Sequence, residues 1–170
     1  MKVILQEADI KKIVYNISLN IEDYLRTHHY GKIPIFTCIL NGGFMFYSDL
    51  VKSLNFPIKC DFLRATSYKG SKQTDVKVTK YPESPIHNEI IFLVDDILDS
   101  GNTMKFLINE YRARGAMDVI PVTLITRKSS PKFNNHICGI EVGDEWLSGY
   151  GMDDKEFTSR NFKYIMEINR

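Results

Sequence analysis

The sequence is poor in the features that mark several common classes of protein. Its three cysteines, Cys38, Cys60 and Cys138, are odd in number, lie far apart and form no Cys-x-x-Cys pair, which excludes a disulfide framework and a zinc knuckle. The four histidines, His28, His29, His87 and His136, have no spacing with other ligands that would hold zinc. No apolar run approaches the ~20 residues that span a bilayer, and the opening MKVIL turns polar at Gln6, too soon for a signal-peptide core. Neither charge dominates: 22 basic and 21 acidic side chains leave a net charge of +1, and no Lys/Arg block stands apart from acids. That balance argues against a nucleic-acid footprint or a membrane-surface helix. No Gly-x-Gly-x-x-Gly or Walker A loop is present, and there is no internal repeat, low-complexity tract or dividing linker. The remaining expectation is one soluble, cytoplasmic domain of 170 residues, long enough for a full core and a formed pocket, with small molecules as partners.

What is present is alternation. Ile10, Ile13, Val14, Ile17, Ile21 and Leu25 recur at intervals of three and four, the stripe of an amphipathic helix. IPIFTCIL (33–40) predicts a buried strand ending at Asn41-Gly42-Gly43, followed by a helix in FMFYSDLVKSL and an extended FPIKCDFLRA. The polar TSYKGSKQTD (66–75) cannot bury itself. EIIFLV (89–94) predicts a short strand, TMKFLINEYRARG (103–115) a helix stopped by Gly115, and DVIPVTLIT another strand. Strands alternating with helices imply right-handed parallel crossovers and an open α/β sheet with ligands beyond the carboxyl ends of the strands. Both NGG and DDILDSGNT lie at such ends.

The stretch IFLVDDILDSGNTM (91–104) gathers three acids ahead of a short turn. DDILD also spells Asp-Asp-x-x-Asp, the magnesium-diphosphate motif of prenyl synthases, but that motif needs a helix to align its acids. Here a β-branched run precedes it, Ser100-Gly101 would break the helix, and no second acidic motif exists. A helix cap for the segment starting near Thr103 would need only one acid. A division of labour accounts for all three. The amides of residues 99–103, the Thr103 hydroxyl and the positive end of the helix can hold a phosphate, while the earlier acids accept bonds from hydroxyls. Hydroxyls beside a phosphate describe a ribose 5-phosphate. Asp95 and Asp96 suit its 2- and 3-hydroxyls, and Asp99, repelled by the phosphate, turns toward the anomeric carbon.

This stretch resembles the signature with which type I phosphoribosyltransferases bind phosphoribosyl pyrophosphate (PRPP): an apolar strand, two acids, two apolar residues, Asp, Thr or Ser, Gly and Thr. CILNGGFMFYSDL resembles the pyrophosphate loop of the 6-oxopurine (hypoxanthine-guanine) branch, ATSYKG its mobile lid, and EVGDEWLSGYGMDD its purine-binding hood. The resemblance implies a parallel sheet core flanked by helices, about residues 1–135, and a small C-terminal hood, about 136–170, within one domain. It implies transfer of the 5-phosphoribosyl group from PRPP to N9 of hypoxanthine or guanine in purine salvage, with release of pyrophosphate. It also implies Mg2+ as cofactor and a homodimer or homotetramer.

Several site roles follow from the same likeness. Asp95, Asp96, Asp99, Ser100, Gly101, Asn102 and Thr103 would bind the ribose and 5-phosphate, with Asp99 also as general acid/base at the purine N7. Asn41, Gly42, Gly43 and Arg160 would bind pyrophosphate, with a cis peptide between Leu40 and Asn41, and glycines that let amides approach oxygen closely. Ser67 and Tyr68 would form the lid, Arg127, Trp146 and Leu147 would contact the purine, and Asp153 would serve magnesium together with Asp95 and Asp96.

The chain also departs from the family pattern. Arg127, followed by Lys128, stands where the family commonly has Lys donating to the purine 6-oxygen, and Arg is not interchangeable with Lys. Asn41 and Asn102 replace frequent basic residues, and Arg160 lies one residue later after Asp153 than in the family. A xanthine-preferring enzyme is the alternative within the class. A PRPP-sensing regulator that binds nucleic acid is the alternative outside it, and that would call for a basic face.

Overall fold

The long apolar runs read as strands buried on both faces, and they form the centre of the molecule. The computed structural model describes residues 2–69, 74–154, 156 and 158–168. In chain order the elements are β1 (Lys2–Leu5), α1 (Glu7–His28), β2 (Ile35–Leu40), α2 (Phe44–Ser53), β3 (Lys59–Lys69), β4 (Thr74–Lys80), β5 (Ile90–Leu98), α3 (Asn102–Ala113), β6 (Asp118–Arg127), β7 (Ile137–Val142), β8 (Leu147–Ser148) and β9 (Ile165–Glu167). A six-stranded sheet has the order β4-β3-β2-β5-β6-β7, parallel except for the β3–β4 hairpin, and a three-stranded antiparallel sheet has the order β1-β9-β8.

Alternation along each strand divides the core. Phe36, Cys38, Phe92 and Val94 pack beneath α1 and α2, through Ile10, Val14, Ile17, Phe46 and Leu50. Their neighbours Ile35, Ile39, Ile91 and Leu93 pack on the opposite side against Met104, Leu107, Ile108 and Tyr111 of α3. Each buried aliphatic or aromatic side chain contributes roughly 1.5–3 kcal/mol, so these two layers hold the strand ends rigidly. α3 ends as expected at Gly115, which has φ +83°.

The α/β class and the seven elements legible from periodicity are present, and the structure adds four features to them. β5 does not stop at residue 94 but runs to Leu98, so Asp95 and Asp96 are strand residues, a setting that also removes the helical Asp-Asp-x-x-Asp reading. Part of the polar stretch 66–75 extends the β3–β4 hairpin. β7 pairs with β6 in the large sheet. β1 pairs with β9 and completes the small sheet.

Candidate active site

Two loops leave the carboxyl ends of the central strands side by side, as an open parallel sheet requires at its switch point. The first joins β2 to α2. Its Leu40–Asn41 peptide is cis, as the family resemblance implies. A Cβ on Gly42 would lie 2.3 Å from Asp96 Oδ2, and one on Gly43 would lie 2.9 Å from the Ile39 carbonyl and 3.3 Å from that of Val94. The glycines therefore let this loop seat against β5 and the Asp96 carboxylate.

The second loop joins β5 to α3. Asp95 Oδ1 accepts from the Asp96 amide at 3.0 Å and Asp96 Oδ1 from the Ile97 amide at 2.9 Å, leaving one oxygen of each without a backbone bond. Burial pushes the Asp95 carboxyl well above its usual range, and the Asp96 charge beside it adds to the rise. Burial raises Asp96 as well, against smaller lowerings by the bond with Asp95, the Ile97 amide and, last, Arg160. Further along, Ser130 Oγ lies 2.6 Å from the Leu98 carbonyl and 2.5 Å from that of Asp99, so its one proton can go to either. Gly101, at φ +74° and hemmed by Pro131, precedes α3 as its N-cap without a side-chain cap bond. The Asn102 amide at the start of α3 meets the Ser100 hydroxyl at 3.4 Å, and the cap residue itself puts no side chain over the first-turn amides, an arrangement open to an anion.

Between these loops and the small sheet lies a cleft of about 320 Å³. Of the residues singled out from sequence, Gly42, Asp96, Asp99 and Arg127 line it from the strand ends, and Trp146, Leu147, Asp153 and Arg160 from the hood. Asn41 and Gly43 lie in the first loop, Asp95 on β5, and residues 100–103 at the turn into α3. Lys128 does not line it and is exposed, its amide bonded to the Val142 carbonyl. Ser67 and Tyr68 are in β3, and their side chains lie outside the described residues. Ile97 and Met152 line the cleft without having been singled out. Each sits beside a predicted acid, Ile97 after Asp96 and Met152 before Asp153, which is the only signal the sequence offered for them.

The cations in the cleft already face acids. Arg127, 8% exposed, donates through Nη1 to the Gly143 carbonyl at 2.7 Å and holds Nε 3.5 Å from Asp99 Oδ1. The Asp99 side chain is 76% exposed, so that pair is screened by solvent. Arg160 donates to the Gly151 carbonyl and to Asp153 Oδ2. The other oxygen of Asp153, Oδ1, is buried with no hydrogen-bond partner. Among the described residues no three metal-ligating side chains cluster. One orphaned carboxylate oxygen in the cleft that Asp96 also lines fits a hard cation that keeps water and substrate oxygens in its shell, as Mg2+ does.

The comparisons with known proteins agree with this geometry. A family profile described as "Phosphoribosyl transferase domain" matches residues 4–155. A hypoxanthine-guanine phosphoribosyltransferase of Bacillus subtilis (strain 168) is 30% identical over 168 residues, covering 96% of this chain and 91% of the relative. A hypoxanthine-guanine-xanthine phosphoribosyltransferase of Tritrichomonas foetus is 28% identical over 156 residues, covering 89% and 83%. The crystal structure of a hypoxanthine-guanine phosphoribosyltransferase from Bacillus anthracis superposes with a TM-score of 0.86 at 26% identity, covering 98% of this chain and 96% of that one.

Proposed function

The chain belongs to the phosphoribosyl transferase domain family, and from that premise we propose that it transfers the 5-phosphoribosyl group of PRPP to N9 of hypoxanthine or guanine, releasing pyrophosphate in purine salvage. One observation carries the reading: a single cleft joins the acidic β5 corner, the Gly42 loop and the hood tryptophan. A sugar phosphate, a diphosphate and a flat base each meet suitable chemistry there.

In this reading the amides of residues 100–103 and the Thr103 hydroxyl receive the 5-phosphate at the start of α3. Asp95 and Asp96 accept from the ribose hydroxyls. Their negative charge favours the oxocarbenium character that develops as the anomeric bond to pyrophosphate breaks and the N9 bond forms. Asp99 faces the purine N7 and takes the proton that the ring gives up. Trp146 stacks on the base, the Leu147 backbone meets its edge, and Arg127 donates to the 6-oxygen. Asn41, Gly42, Gly43 and Arg160 hold the leaving pyrophosphate, and Ser67 and Tyr68 close over the cleft to exclude water. Asp153, with Asp95 and Asp96, would hold Mg2+, which would supply neutralisation of diphosphate charge. The whole chain acts as one catalytic unit of sheet core and hood. No helix among the described residues is long and apolar enough to cross a membrane, and family likeness supports a cytoplasmic homodimer or homotetramer.

Arg127 in the cleft and the xanthine-using relative favour xanthine as a second base. The deciding experiment offers PRPP and Mg2+ with hypoxanthine, guanine, xanthine or adenine in turn and follows nucleotide by absorbance. Turnover with the first two is expected. Turnover with xanthine alone would shift the substrate, and no turnover together with tight RNA binding would point instead to a PRPP-sensing regulator.

A further inference from the structure

The hood turn Gly149-Tyr150-Gly151 has three consecutive positive φ values, 97°, 49° and 95°. For the tyrosine this is a sparsely populated conformation, and such a residue persists where its surroundings hold it. The surroundings here are cleft parts. Tyr150 N donates to the Phe162 carbonyl at 2.9 Å and Gly151 N to that of Arg160 at 2.8 Å. The Arg160 guanidinium donates back to the Gly151 carbonyl at 2.6 Å. On its other side the turn sits on the β2–α2 loop so closely that a Cβ on Gly151 would lie 2.2 Å from the Gly42 carbonyl. The turn is thus wedged between Gly42 and Arg160, with Met152 and Asp153 following directly.

Only one side chain of the turn can reach α2. Tyr150 is 3% exposed, and its hydroxyl donates to Asp49 Oδ2 at 2.7 Å, across a sequence separation of 101 residues. Asp49 lies on α2, the helix that follows Gly43, and its Oδ1 is 2.8 Å from Lys52 Nζ. Burial opposes its ionisation, but the bonds from Lys52 and Tyr150 outweigh that and hold its carboxyl below the usual range. The acceptor is therefore charged and the bond is of the stronger, charge-assisted kind.

We propose that Tyr150 is a positioning residue for the pyrophosphate side of the cleft: its bond to Asp49 keys the hood turn onto α2, fixing the spacing between the Gly42 loop and the Arg160–Asp153 pair. This rests on the function proposed above. A diphosphate bridging the two walls needs that spacing to within a fraction of an ångström, whereas Arg127 on β6 and Trp146 beside β8 are placed by other bonds.

The test is steady-state kinetics on four variants beside the wild type, with pyrophosphate titrated calorimetrically. Tyr150→Phe should raise the KM for PRPP about tenfold, with purine KM and kcat within about twofold, and weaken pyrophosphate binding in parallel. Asp49→Leu should match it. Asp49→Asn, which keeps an acceptor oxygen, should stay near wild type. The double variant Tyr150→Phe/Asp49→Leu should be no worse than either single variant, because both remove one interaction. Should Asp49→Leu not fold, Tyr150→Phe and Asp49→Asn decide alone. An unmoved PRPP KM in Tyr150→Phe, or a purine KM that rises equally with it, overturns the link while leaving the functional reading intact. A wild type that turns over no purine overturns both.

Discussion

Three aspartates within five residues occupy three environments, and environment sets what each can do. Asp95 and Asp96 each accept from the amide of the following residue, with carboxyls raised by burial. Asp99, beyond the end of the strand, is exposed and faces the Arg127 guanidinium at 3.5 Å. A carboxylate that must take a proton from a base needs that freedom, and the loose contact with Arg127 lets it turn to a ligand without leaving a buried charge unpaired. Asp99→Asn keeps the shape and the Arg127 contact oxygen while removing proton chemistry. The expected result is a fall in kcat of about 10²-fold or more with little change in either KM, read from steady-state rates. Unchanged kcat would reduce Asp99 to a partner for Arg127.

At the scale of elements, the site is built by strands that end where their loops can nearly touch. The Gly42 α-carbon faces the Asp96 carboxylate with no room for a methyl group, since a Cβ would stand 2.3 Å from Oδ2. Gly42→Ala must therefore push the β2–α2 loop away from β5. A loss of about 1–3 kcal/mol in stability and a rise in PRPP KM larger than that in purine KM are expected from thermal melts and kinetics. A variant that melts and binds as the wild type would show that the loop is free to shift.

The glycines and the acid motif were legible because each is local. So were α1, β2, α2, α3 and β6, whose apolar period is uninterrupted. The end of β5 was not, because two acids in succession read as loop wherever burial is not compensated by a ligand. β1, β8 and β9 have four, two and three residues, and β1 is paired only across the length of the chain, Lys2 opposite Glu167, so no window of sequence contains their pattern. Ser130 beneath the Asp99 carbonyl and Tyr150 on Asp49 escaped for the same reason. The resemblance supplied Trp146 and Asp153, which no periodicity marks.

Across the whole molecule, the end of the sheet opposite the cleft is closed by a polar clasp. Asp118, the first residue of β6, accepts from the Tyr24 hydroxyl at 2.7 Å, faces His29 Nε2 at 2.8 Å and takes its neighbour Val119 N at 2.9 Å, while Asn135 donates to Tyr24 at 2.9 Å. One carboxylate so joins α1, β6 and the approach to β7. Burial opposes its charge, but the bonds from His29, Tyr24 and the Val119 amide outweigh that and hold its carboxyl below the ordinary range. A depressed folded pKa contributes stability that is present above the unfolded value of about 3.9 and lost as pH falls from there through the folded value. Asp61 is lowered in the same sense by the amides of Ser84, Phe62 and Glu83 against burial, so it acts on the same acid limb. Asp95 and Asp96, raised, act with the opposite sign and lose stability as pH rises. In Asp118→Asn the clasp loses its charge at every pH. The melting midpoint at pH 7 should fall by about 2–8 °C, the equivalent of roughly 1–2 kcal/mol in a chain of this size. The further drop as pH falls below about 4 should shrink without vanishing, because Asp61 still titrates. Turnover at pH 7, set at the far end of the strands, should not change. A variant whose acid limb stays as steep as that of the wild type would show that Asp118 does not link the helix to the sheet through its charge.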